Sequence, residues 1–250
     1  MFKVGTTNES TRVKWIEDTL KKIPEGLTIL DAGAGEAPYK KFCSHLKYIA
    51  QDFGQYHGDG EIGLQTGTWD NTKLDIISDI LSIPLPDRSV DAIMCTEVLE
   101  HIPDPLGAIK EFARLVKPGG LLITDHDPQL SAWNYKGIAK LLWKGRLIWY
   151  KITGHGFHKT NDQQYWGLEC ETHHKPGHGV TKEMFTSTLE PLGFNVKVYP
   201  HNHNLGAEVL LGEWGKADFK YRMGNIFSGR NPNSDKSALS LMCVARKGYI

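Results

Sequence analysis

Short apolar runs recur through the first half of the chain, at Leu27–Leu30, Tyr48–Ala50, Leu74–Ile77, Val90–Cys95 and Leu121–Thr124. Brief runs of this kind mark strands covered on both faces, the environment of a parallel sheet. Helical spacing separates several of them. Val13, Ile16, Leu20 and Ile23 form a stripe ahead of Pro24, and Glu36–Leu46 reads as a helix with Pro38 in its first turn. Asp104 and Pro105 supply a cap and a first-turn proline for a helix carrying Ile109, Phe112, Ala113 and Val116 on one face. Pro118, Gly119 and Gly120 end it. Strand, helix and strand in this rhythm build right-handed crossover units. The fold class is α/β, doubly wound, with helices on both faces of the sheet.

The second half reads differently. Residues 128–180 are rich in aromatics, His, Gly and Lys and show little strand pattern. Thr181 then caps a helix carrying Met184, Phe185, Thr188, Leu189 and Leu192, closed by Gly193. Phe194–Tyr199 and Leu239–Ala245 read as two further strands. The long connection between them holds a basic, aromatic passage, Lys216–Arg230, and loops of that length are usually functional. A chain of 250 residues suits one domain. The expected organisation is a single domain, 1–250, with a core at 27–125, an inserted lid or acceptor region at 128–180 and a second insertion at 200–236.

Charge and cysteine content narrow the function. Twenty-nine basic against 29 acidic residues leave no net charge, whereas a chain that lives on nucleic acid usually carries a basic excess. Cys43, Cys95, Cys170 and Cys243 are scattered without a CxxC pair, as expected of reduced thiols. The first fifteen residues hold no apolar leader core, and no stretch approaches the roughly 18 apolar residues of a membrane span. The expectation is a soluble, cytoplasmic protein.

The chemistry concentrates at Asp31, Gly33, Gly35 and Ala37, directly after the first strand. Glycines there let a backbone approach a ligand closely. Asp52 stands at the end of the second strand, where a carboxylate can accept both hydroxyls of a ribose. Open α/β sheets bind ligands at these carboxyl ends. A carboxylate as close as Asp31 would repel a pyrophosphate, which disfavours a dinucleotide.

Asp31 with Gly33 and Gly35, then Asp52, then Ser78, Asp79 and Ile80, then Asp91–His101 (DAIMCTEVLEH) and Lys117–Gly120 together resemble the successive motifs of the class I S-adenosylmethionine-dependent methyltransferases. The likeness is greatest to the small-molecule branch with a VLEH signature after strand four, and covers residues 27–125. It implies a mostly parallel seven-stranded sheet with helical or loop lid insertions, and S-adenosylmethionine as cofactor. Asp31 and Gly33 would line its methionine part, Gly35 would hold the turn, and Asp52 would take the ribose hydroxyls. Phe53 would lie against the adenine, Asp79 would receive its amino group, and Ile80 would add a backbone contact. Thr96 and Glu97 would stand near the sulfonium. Ala37 departs from the pattern, because many relatives have a third glycine there.

The implied reaction is methyl transfer to a small molecule, with an oxygen of a lipid-linked or sugar-derived acceptor favoured. His126, after strand five, is the candidate general base, with a neighbouring Asp to orient it; Trp133 and His178 are candidate acceptor contacts. A second reading is a non-catalytic or membrane-binding protein that keeps the cofactor fold. A third is an enzyme using the cofactor for another reaction. Residues 128–161 carry six basic residues and no acid, interleaved with Trp133, Tyr135, Trp143, Trp149 and Tyr150. This suits a lid, or a peripheral membrane contact through 133–151. The Asn/Asp-Pro-Pro-aromatic run of amino-directed base methylases is absent, and Thr96–Leu99 stands in its place, which argues against nucleic acid. His155, His158, His173, His174 and His178 match no zinc spacing, so no metal is expected.

Overall fold

Apolar alternation across a buried sheet organises the molecule. The computed structural model describes residues 7–54, 70–126, 179–201 and 240–249, with the isolated residues 141, 148 and 152. Its strands are β1 (Thr28–Ala32), β2 (Lys47–Asp52), β3 (Ile76–Ile77), β4 (Val90–Thr96), β5 (Val116–His126), β6 (Phe194–His201) and β7 (Ser240–Lys247). They form one sheet in the order β3-β2-β1-β4-β5-β7-β6. The first five run parallel to one another, and β7 runs antiparallel to both β5 and β6.

Successive strand residues face opposite sides, so each side of the sheet has its own apolar set. Ile29, Met94 and Ile123 pack beneath α1 (Thr7–Leu20), against Ile16 and Leu20. Leu30, Ile93, Cys95 and Leu122 pack with Phe112 of α2 (Pro105–Leu115) and Phe185 of α3 (Lys182–Leu189). Phe112 and Phe185 are fully buried, each stabilising the fold by about 2–3 kcal/mol. Both helix caps form: the Gly107 amide donates to Asp104 Oδ1 at 2.8 Å and the Met184 amide to Thr181 Oγ1 at 3.1 Å. Gly193, in the left-handed region at φ 83, follows a 3-10 turn at Glu190–Leu192.

Two sequence expectations are corrected. Glu36–Leu46 is not a helix; only Lys40–Phe42 forms a single 3-10 turn. Pro38 has no N–H to give, and Ala37 sits in the left-handed region at φ 57, so no helical turn can propagate from the glycine segment. Pro118–Gly120 does not simply stop α2, which ends at Leu115, but already belongs to β5. The ladder with β4 slips there, from Val90 against Val116 to Ala92 against Leu121. Gly120 permits the slip, since a Cβ on it would lie 2.6 Å from the Asp91 carbonyl oxygen.

Candidate active site

Asp31 is the fourth residue of β1, buried on the α1 side of the sheet and accepting a hydrogen bond from the Tyr48 hydroxyl. Burial pushes its carboxyl up to about 7, against the Tyr48 bond, and Asp52 adds to the rise. The chain then turns through Gly33 (φ 77) and Gly35 (φ 52). The Gly33 and Ala34 amides both donate to the Gln51 carbonyl at 2.9 Å, and the Gly35 amide donates to Asp52 Oδ2 at 3.0 Å. The turn is thus fastened to β2 rather than leading into a helix. No side chain fits at Gly33, whose Cβ would lie 2.5 Å from Val98 Cγ2.

Asp52 ends β2 with both oxygens engaged, Oδ1 accepting from Gly54 at 3.2 Å. Each carboxylate oxygen keeps a second lone pair, enough for a diol. Phe53 and Gly54 follow, half-buried, and Ile77 Cγ2 stands 3.2 Å from where a Gly54 Cβ would be. Asp79 is exposed and accepts the Leu81 amide at 2.9 Å, while Ile80 is buried. Ile77 and Leu81 beside it are 64% and 38% exposed, an apolar patch at an otherwise acidic edge.

Thr96 closes β4 opposite Asp125 of β5. Glu97 follows in the left-handed region at φ 55, its amide donating to the Asp125 carbonyl at 2.8 Å. Its carboxylate meets Arg12 of α1, with Nη1 2.8 Å from Oε2, and Arg12 Nε lies 3.5 Å from Asp125 Oδ2. Burial raises both acids, Asp125 to about 7, and the Arg12 cation restrains each rise. Tyr39 hydrogen-bonds Arg12 from the turn ahead of the 3-10 segment. Sequence reasoning missed Arg12 and Tyr39. The available signal was Arg12 itself, a cation one and two helical repeats of four before Ile16 and Leu20 on a buried stripe.

The sheet brings Asp31, Gly33, Gly35, Asp52, Phe53, Asp79, Ile80, Thr96 and Glu97 to the carboxyl ends of β1 to β4. His126 is placed otherwise than the sequence suggests. It is the last residue of β5 rather than beyond it, fully buried, with its ring 5.6 Å from that of Phe185. Burial lowers its pKa to about 4, against a hydrogen bond to the Val180 backbone. Strand alternation puts it on the α3 side and Asp125 on the α1 side, so the adjacent carboxylate does not orient the imidazole. Trp133, His178 and the other histidines of 155–178 lie outside the described residues. So do the 128–161 segment, apart from Leu141, Ile148 and Ile152, and most of 200–236. Among the described residues no group of three His, Cys, Asp or Glu side chains is placed to hold a metal ion.

The comparisons with known proteins meet this geometry. A family model described as a methyltransferase domain matches residues 63–124. The demethylmenaquinone methyltransferase of Staphylococcus aureus is 32% identical over 140 residues, 55% of this chain and 54% of that protein. A methyltransferase from Methanosarcina mazei superposes with a TM-score of 0.53 at 16% identity, over 93% of this chain and 98% of that one. The chain has the class I methyltransferase fold. A second member of this fold, from Archaeoglobus fulgidus, gives a TM-score of 0.52 at 15% identity, covering 96% of this chain and 95% of that one. The expected seven-stranded methyltransferase sheet is present, with β7 inserted antiparallel between β5 and β6. The chain spans about half the length of the curated relatives it matches.

Proposed function

We propose that this protein is an S-adenosylmethionine-dependent methyltransferase acting on a small, apolar or lipid-linked molecule. The observation that carries the reading is the row of acids at adjacent strand ends, Asp31, Asp52, Asp79 and Glu97, around the Gly33–Gly35 turn. The donor set fits the cofactor: Asp52 has lone pairs left for a ribose diol, Asp79 stands exposed for an amino group, and Ile77 and Leu81 offer apolar cover to a ring. Phe53 and Ile80 complete the adenine side, and Asp31 with Gly33 and Thr96 the methionine side. When bound, the cofactor supplies a methyl group already activated on a sulfonium, so the protein's part is alignment and exclusion of water.

The acceptor class is drawn from the relatives and from the lid segment. The name of the Staphylococcus aureus relative supports an apolar acceptor. Leu141, Ile148 and Ile152 are helical positions seven and four residues apart, 71%, 58% and 77% exposed. That is the spacing of one helix face, within a stretch of six bases and no acid. We assign 128–180 and 200–236 as the acceptor-covering insertions of a single domain, with Trp133 and His178 as acceptor contacts. Oxygen is our choice of acceptor atom. His126, neutral at pH 7, would take its proton, and a base held near 4 suits an acidic hydroxyl such as a phenol better than an alcohol.

Calorimetric titration with S-adenosylhomocysteine tests the core of this reading. Wild-type protein should bind it in the micromolar range, and Asp52→Ala should weaken binding at least tenfold through lost hydrogen bonds to the ribose. Silence with wild-type protein would sink the cofactor assignment. A second reading, peripheral membrane contact through 133–151, is favoured by the exposed apolar trio. Co-sedimentation with anionic vesicles should then weaken with salt; equal recovery without vesicles removes it.

A further inference from the structure

Three charged side chains from three elements meet beside the glycine turn: Arg12 of α1, Glu97 after β4 and Asp125 of β5. Val98, the residue after Glu97, is the side chain that abuts Gly33, so the chain leaving the cluster runs against that turn. Asp125 follows Ile123 on β5 as Asp31 follows Ile29 on β1, which sets both carboxylates on the α1 side. The hydroxyls of Tyr39 and Ser240 also reach the cluster, and both are neutral at physiological pH. One cation therefore faces two carboxylates. Glu97 Oε2 is taken by Arg12, whereas Oε1 is buried and has no hydrogen-bond partner among the described residues. Glu97 holds all this in the left-handed backbone region, a conformation that side-chain-bearing residues keep mainly where surrounding structure enforces it.

We propose that this cluster makes the site selective for charge at the reacting sulfur. It favours the sulfonium of S-adenosylmethionine over the neutral thioether of S-adenosylhomocysteine, and Arg12 is the positioning residue that holds both carboxylates. The inference rests on the cofactor assigned above. Its sense is that spent cofactor leaves more readily than fresh cofactor. Where both carboxylates are ionised, Arg12 offsets one and a surplus negative charge remains. Near pH 6 Asp125, pushed up to about 7 by burial, is mostly protonated and the surplus disappears. Asp31 titrates in the same range, but it faces the methionine part common to both ligands and cancels in their ratio.

The test is the ratio of the dissociation constants of S-adenosylhomocysteine and S-adenosylmethionine, measured by calorimetry between pH 6 and pH 8. In wild-type protein the ratio should rise with pH by several-fold. Glu97→Gln should lower it at pH 8 by roughly tenfold, the effect of one unit charge close to the sulfur at a partly buried site. Arg12→Gln should move the midpoint of the profile to higher pH, because two carboxylates without their cation share a proton, and Arg12→Lys should return it. A wild-type ratio flat with pH and equal in Glu97→Gln overturns the charge selectivity, and an unmoved midpoint in Arg12→Gln overturns the role of Arg12. If neither ligand binds wild-type protein, the cofactor assignment fails instead.

Discussion

Ala37 holds φ 57 with a methyl group that the left-handed region disfavours by about 1–2 kcal/mol. Glycine there would relieve that cost and lose some of the gain to unfolded-chain entropy. Ala37→Gly is therefore expected to stabilise the protein by about 0.5–1 kcal/mol, read as a higher urea midpoint at unchanged slope. A lower midpoint would mean that the methyl group's packing outweighs the backbone term. The same residue shows where single positions were legible. Its departure from the family's third glycine was visible in the sequence, while the reason glycine is common there was not, because the reason is a backbone angle. Arg12 is the converse case. Its charge on an apolar stripe was in plain view, but its partners lie 85 and 113 positions away, and no local pattern connects them.

At the scale of elements, caps and apolar faces carried most of the information. Asp104 and Pro105 announced α2, and the Asp104 carboxylate does hold the Gly107 amide. Asp104→Ala should cost about 1 kcal/mol, measurable in chemical denaturation, and an unchanged midpoint would show water replacing the cap at no loss. Strand positions were legible for the same reason, since a strand buried on both faces has little choice but to be apolar. Their ends were less so. Leu74–Ile77 shrinks to Ile76–Ile77 because the Asp75 side chain accepts the Ala50 amide at 2.8 Å in place of a backbone carbonyl. Glu36–Leu46 reads as a helix in the sequence, and Tyr39, Phe42, Cys43 and Leu46 of that segment do pack into the α1 side of the core. They manage it through turns, which apolar spacing cannot distinguish from a helix over so short a stretch. The acids of the candidate site were legible because each stands at or within two residues of a strand end. The acceptor side was not, because insertions carry no common period.

Taken whole, the molecule stores opposing titrations in its interior. Asp31 and Asp125 have carboxyls raised to about 7, so the folded state binds their protons more tightly than the unfolded chain does. Their contribution to stability falls as pH rises from about 4 through 7. His126, lowered to about 4, works the other way and favours the fold increasingly from about 4 to 6.5. Asp31→Asn removes one side of this balance while keeping an acceptor for Tyr48. It should raise the melting temperature at pH 8 and have little effect at pH 4. An equal gain at both values would show that Asp31 ionises normally in the fold. The sheet order has a consequence of another kind. Because β7 is the only strand between β5 and β6 among the described residues, residues 194–201 have no described strand to pair with until residues 240–247 have left the ribosome. The nascent chain carries β6 without its β7 partner through the synthesis of some forty residues, and that interval is when a chaperone has something to hold.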